Sequence, residues 1–404
     1  MKILIVGGNL QVINGYTNAV LSIAEATGKK VSTYLIPVFT PFYVKKKDEK
    51  RSFTLVSKKI SPFIIFIMIK YFKRSFFAIK PYCSPFSVTG FLYFIKDTYH
   101  RALFAQIIDD LKPDVINIHG LYLDILPFIE VTRDKKVPLC VTIHAISAPD
   151  MNIILHYNKN FEEKEMINLV EAKIPIITVS SGVSYLIKNS FKINIEPIII
   201  QNGVDFDRFV LNNQDISMVR TKYGMPQDKL ILIQVGTLIK RKNHIVVLEA
   251  LAEMEKSQQD ALHYVIIGDG PERSILEDFC IKKDLISICT FTGQISDADL
   301  NALYLISNLF ILPSTSEGLA LVSLEALAAG IPIIAFEDLQ GIQEIYNPLC
   351  VQLIKDHTIS SVKDAIQEAM NKKWDNDLIK AYAKQWSWDS VSEKYMEIYQ
   401  NLLK

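Results

Sequence analysis

Two glutamates, Glu317 and Glu325, stand with seven residues between them in the stretch 313–331, and Gly318 follows the first. The apolar run 309–312 has the length of a strand, Pro313 breaks it, and small polar residues come next. From Leu319 the pattern turns helical until Gly330 and Pro332 stop it, as expected just past a helix C-terminus. Glu317 and Gly318 therefore fall at a strand-to-helix turn, where the first helical N–H groups lack partners inside the helix. Such a turn attracts anions, phosphate above all. The two carboxylates would then hold hydroxyls of whatever carries that phosphate. A plainer reading has Glu317 complementing the helix dipole and Glu325 on a solvated face. Against it, Leu321, Val322, Leu324, Leu327 and several alanines surround Glu325, and an acid in such company calls for a partner.

A second cluster follows the apolar run 230–235. There Gly236 and Thr237 lead into Lys240, Arg241 and Lys242. Three cations directly after a strand suit a phosphate better than bulk water does. Two histidines, His119 and His144, lie at the ends of strands, at 112–120 and 138–143. In parallel sheets ligands collect at such carboxyl ends, although a structural role fits His119 equally well. Asp205/Asp207 and Asp297/Asp299 have the look of metal pairs. Asn202-Gly203 just before the first reads as a hinge turn, and no metal site is expected. The loop 7–16 lacks the GxGxxG spacing of a dinucleotide site, which argues against a nicotinamide enzyme.

The elements that must position these groups alternate. Strands are expected at 2–6, 30–35, 112–120, 138–143, 176–179 and 196–200, with helices at 17–26 and 104–111 between them. A second series follows, with strands at 230–235, 263–267, 290–293, 309–312 and 331–335. Buried-type strands alternating with helices predict α/β architecture with parallel sheets. At 404 residues and 49% apolar content the chain suffices for two domains. Its five cysteines show no CxxC pairing, which points to a reducing compartment without zinc. The N-terminal apolar run is too short for a signal peptide, and nothing reaches the roughly 18 apolar residues that span a bilayer.

Net charge is zero but uneven. Residues 43–80 carry eleven Lys/Arg against two Asp/Glu, a local +9 balanced by −9 elsewhere. Lysines and arginines here interleave with Phe and Ile, which fits an anionic membrane surface better than a core helix with a basic loop. Nucleic acid is not an expected partner.

The stretch SEGLALVSLEALAAGIPIIA, with its two spaced glutamates, resembles the signature of retaining glycosyltransferase family 4, the glycosyltransferase group 1 type with the GT-B fold. The resemblance extends over most of the chain. It implies two Rossmann-like, doubly wound domains facing across a cleft: 1–202 for the acceptor, 203–385 for a nucleotide sugar, and a C-terminal helix within 386–404 crossing back to the first. By resemblance the backbone at Gly318, Leu319, Ala320, Leu321 and Val322 binds the donor diphosphate. Glu317 holds the donor sugar, Glu325 the ribose, and Gly15 lies near donor and acceptor. His144, in VPLCVTIHA, matches a histidine beside the donor sugar and leaving phosphate. Lys242 matches a diphosphate lysine, while Thr237 replaces the family arginine and leaves Arg241 or Lys240 to supply its charge. His144, Glu317 and Lys242 are the expected catalytic residues.

The implied reaction moves a sugar from a UDP- or GDP-sugar to a lipid-linked or other saccharide acceptor, in surface polysaccharide or glycolipid synthesis. Charge grows on the departing diphosphate while the sugar becomes oxocarbenium-like. A helix N-terminus with lysine and arginine would stabilise it with no cofactor and no metal. Retention follows from the resemblance alone, and no nucleophile is evident, so front-face attack assisted by the leaving phosphate is expected. The expected location is cytoplasmic, peripheral to the inner face of the cell membrane. A sugar-nucleotide epimerase, a phosphorylase and a non-catalytic sugar-binding protein stay as alternatives.

Overall fold

The structure, a computed structural model, describes residues 1–8, 15–37, 51–56, 64–80, 87–121, 125–144, 159–210, 213–315 and 320–404. The chain divides into two compact units, Met1–Gln201 with Trp388–Lys404, and Asn202–Ser387.

The first unit is built on β1 (Lys2–Val6), β2 (Ser32–Ile36), β3 (Thr54–Leu55), β4 (Val115–His119), β5 (Leu139–Ile143), β6 (Ile176–Thr178) and β7 (Ile198–Ile199). They pair in parallel in the order β3-β2-β1-β4-β5-β6-β7. The strand order reverses between β1 and β4, so the carboxyl ends of those two strands form the ligand-collecting edge of such a sheet. Runs such as VINIH and LCVTI are buried throughout, as a sheet covered on both faces requires. Helices α1 (Gly15–Gly28), α2 (Ile64–Ile79), α3 (Val88–Leu111) and α4 (Leu126–Asp134) follow in chain order. The Trp388–Asn401 helix returns to this unit, where Val391, Tyr395 and Tyr399 join the core of Ile3, Val20 and Ile23.

Helix α3 begins at Val88, well before the expected 104. Ser87 caps it by accepting from the N–H of Gly90, and its first turns expose Val88, Phe91, Leu92 and Ile95. Apolar residues on a solvent face erase the periodicity by which a helix is read. Charge fixes α3 from inside. The fully buried Arg101 pairs with Asp97 and with Glu130 of α4, and Glu130 also accepts from Arg74 of α2.

The second unit carries β8 (Leu230–Val235), β9 (Leu262–Ile267), β10 (Cys289–Gly293), β11 (Leu309–Leu312), β12 (Ile333–Phe336) and β13 (Val351–Ile354). Their parallel order is β10-β9-β8-β11-β12-β13, reversing between β8 and β11. No helix among the described residues is long and apolar enough to cross a membrane.

Candidate functional site

In the second unit the edge after β8 and β11 gathers most of the expected donor residues. Strand β8 reads LILIQV, a single amide among aliphatic side chains. Gln234 is buried. Its Nε2 donates to the carbonyl of Lys242 at 2.9 Å, and its Oε1 accepts from the hydroxyl of Tyr264 on β9. Tyr264 is fully buried, so this relay works away from water, where hydrogen bonds are worth most. It anchors the single 3₁₀ turn Lys240–Lys242, which Asn243 closes at φ 53°.

The relay decides where the lysine goes. A Cβ on Gly236 would lie 3.3 Å from Cε and 3.7 Å from Nζ of Lys242, so glycine lets the Lys242 chain lie along the loop backbone. Gly268 is as constrained, since a Cβ there would sit 2.1 Å from the Gly236 carbonyl oxygen. Lys242 is half-buried, whereas Thr237, Lys240 and Arg241 are exposed. Across the reversal point, the N–H and hydroxyl of Thr315 donate to the carbonyl of Arg241 at 3.0 and 3.4 Å. The cationic loop is thereby tied to the chain entering the glutamate motif.

Glu317, Gly318 and Leu319 lie outside the described residues. The Leu321–Ala329 helix begins after Ala320, an extended N-cap whose methyl group offers no side-chain hydrogen bond. Ala320, Leu321 and Val322 are half-buried, and the helix ends on Gly330 at φ 85°. On the elements flanking this turn, the hydroxyls of Ser314 and Ser323 are buried without a hydrogen-bond partner, as are both ring nitrogens of His244, which starts the helix after the cationic loop. Burial, then the Lys242 charge, lowers the His244 imidazole to about 4.

Glu325 has the partner its surroundings demand. Its carboxylate accepts from Arg208 Nη1 at 2.8 Å and from the Tyr304 hydroxyl at 3.1 Å. Burial raises its pKa, and Arg208 opposes the rise. Neither Arg208 nor Tyr304 was legible as a site residue. Asp205 accepts from the N–H of Asp207 as the cap of a short 3₁₀ turn, and Asp299 is held by Lys222 and Tyr223. Among the described residues, no cluster of His, Cys, Asp or Glu could hold a metal.

In the first unit, His119 and His144 meet at the ends of β4 and β5. His119 Nδ1 and His144 Nε2 are 2.9 Å apart. The Tyr16 hydroxyl accepts from the N–H of Gly8 at 3.1 Å and donates to the His119 carbonyl at 2.9 Å. Its ring meets His144 edge-on, with centroids 5.0 Å apart. Gly15 is the first residue of α1. Beneath the histidines, Asn117 donates to the Tyr399 hydroxyl at 2.8 Å and accepts from Thr142 at 2.9 Å.

Residues 215–386 match the family described as glycosyl transferases group 1. TuaC of Bacillus subtilis strain 168, named as a teichuronic acid biosynthesis glycosyltransferase, is 29% identical over 274 residues, 66% of this chain and 65% of that protein. An alpha-monoglucosyldiacylglycerol synthase of Acholeplasma laidlawii is 26% identical over 239 residues, 56% of this chain and 60% of that protein. The chain thus spans just under two thirds of either curated relative. A glycosyltransferase from Rickettsia africae ESF-5 shares the fold, with a TM-score of 0.75 at 16% identity, covering 100% of this chain and 98% of that one. The segment that resembles the glycosyl transferases group 1 family lies inside the second unit, and the whole chain shares the GT-B fold.

Proposed function

We propose that the protein is a retaining, metal-independent glycosyltransferase. It transfers a sugar from a UDP- or GDP-sugar to a lipid-linked or other saccharide acceptor, in surface polysaccharide or glycolipid synthesis. The observation that carries this reading is Lys242. A buried glutamine–tyrosine relay holds its loop, and Thr315 ties that loop to the chain leading into the Leu321–Ala329 helix. An ammonium carried on a held loop and a helix start without a side-chain cap are the kinds of group that stabilise a departing diphosphate. On this reading Glu317 binds the donor sugar and the backbone from Gly318 to Val322 takes the diphosphate. Glu325, already paired with Arg208, reaches the ribose through its remaining acceptor capacity. Residues 1–202 serve the acceptor and 203–385 the donor.

A membrane-bound acceptor is supported by helices α2 and α3. They expose Ile69, Phe72, Phe77, Phe91 and Leu92, and Lys70, Lys73 and Lys80 are exposed among them. Apolar side chains beside cations suit an anionic lipid surface, and the Acholeplasma relative is named for a glycolipid product. The basic stretches 45–50 and 57–63 lie outside the described residues.

The test is a thermal-shift screen of UDP, GDP and their sugars, with and without chelator, followed by product analysis. A cognate nucleotide at a hundredfold excess over Kd should add about 2.7 kcal/mol of stability. The anomeric configuration of the product then tests retention. No shift with any nucleotide diphosphate and no transfer to any lipid or saccharide acceptor would end this reading.

A further inference from the structure

We infer that His119 is a positioning residue: it locks His144 in the Nδ1–H tautomer, so that His144 is a fixed hydrogen-bond donor to an oxygen of the transferred sugar or its phosphate. The inference rests on the proposed transfer reaction for the identity of that oxygen, and on the first unit alone for its geometry.

Two imidazoles 2.9 Å apart through His119 Nδ1 and His144 Nε2 share one proton on that line. If His144 Nε2 carried it, the proton of neutral His119 would sit on Nε2. That nitrogen is buried and has no hydrogen-bond partner. A buried N–H without an acceptor loses its hydration with nothing in exchange, whereas a bare ring nitrogen leaves only a lone pair unmet. The proton therefore belongs on His119 Nδ1, donated to His144. His144 must then carry its own proton on Nδ1, the nitrogen that His119 does not occupy.

The His119 ring has little freedom to do otherwise. Its backbone carbonyl is held by the Tyr16 hydroxyl. Gly7 comes so close that a Cβ there would lie 2.7 Å from His119 Cβ, and Tyr395 lies alongside with ring centroids 6.5 Å apart. Protonating both rings is disfavoured as well. Burial drives His119 well below the usual histidine range, and His144 to about 3. A neutral histidine whose Nε2 is taken offers no base at Nδ1. It only donates.

The experiment uses the full chain labelled with ¹⁵N-histidine. In the wild type, His144 should show a protonated Nδ1 and a bare Nε2. His119→Asn places an amide N–H where Nδ1 stood, and should keep both that pattern and kcat within about threefold. His119→Gln places its amide at the Nε2 position instead, and His119→Phe keeps the ring volume without a donor. Both should mix the His144 tautomers and lower kcat about 10²-fold with little change in KM. A wild-type spectrum with the proton on His144 Nε2 would overturn the inference, even if the variants fail to fold. So would Asn, Gln and Phe variants that lose kcat alike. The spectrum needs no turnover, so a correct tautomer in a protein that transfers no sugar would count against the proposed function alone.

Discussion

The two sheets reverse strand order at equivalent points, and each unit closes its reversal point differently. In the first, closure is by neutral side chains: Tyr16 bridges Gly8 and His119, and His119 bridges to His144. In the second, closure is by backbone. The Arg241 carbonyl takes the Thr315 N–H, and Gln234 holds the Lys242 carbonyl, which leaves cationic side chains at the edge. One edge thus presents fixed neutral donors, and the other presents charge. Neutral groups orient a ligand, while charge stabilises an anion.

Removing the charge should break the comparison most visibly. Lys242→Ala is expected to lower kcat by about 10²- to 10³-fold while leaving the melting temperature close to wild type, as read by steady-state kinetics and calorimetry. A loss confined to KM would assign Lys242 to ground-state binding instead.

Acid should sharpen the comparison. A histidine kept neutral by burial takes its proton first in the unfolded chain. Stability is therefore full above about pH 6.5 and falls as pH drops toward the folded value. For His244 that window runs from 6.5 to about 4, a cost of about 3 kcal/mol. His263, on β9 itself, is lowered by burial too, while in the first unit His119 is held well below the usual histidine range and His144 is driven to about 3. Between pH 7 and 5, hydrogen exchange, corrected for intrinsic rates, should accelerate more in β4 and β5 than in β8 and β9. Equal acceleration would mean that the folded pair takes up an additional proton in this range instead of staying neutral.

The smallest effect tests the backbone closure. Gln234→Leu leaves the Tyr264 hydroxyl and the Lys242 carbonyl without partners, costing about 1–3 kcal/mol. It should also weaken nucleotide binding through a loosened Lys242 loop. Thermal melts with and without nucleotide separate the two effects. A variant that melts lower yet binds nucleotide as wild type does would reduce Gln234 to a structural role.

Much of this was legible in residue types and their order. Aliphatic runs such as LILIQV and VINIH declared buried parallel strands. The spaced glutamates and the cations after β8 raised the expectation of phosphate chemistry, and histidines at strand ends marked an edge. Helix α3 was read short, because its exposed apolar turns carry no periodic signal. What stayed hidden was pairing. Gln234 meets Tyr264 because the β8–β9 register sets Leu232 opposite Tyr264 and Gln234 opposite Ile266. His119 reaches His144 through the β4–β5 register. Glu325 finds Arg208, 117 residues away. Periodicity is a local property and fixes which face each residue shows, so the sequence by itself determined the layers and the kinds of chemical group. The partner of each group depends on register and helix packing between distant segments, and only the tertiary structure decided that.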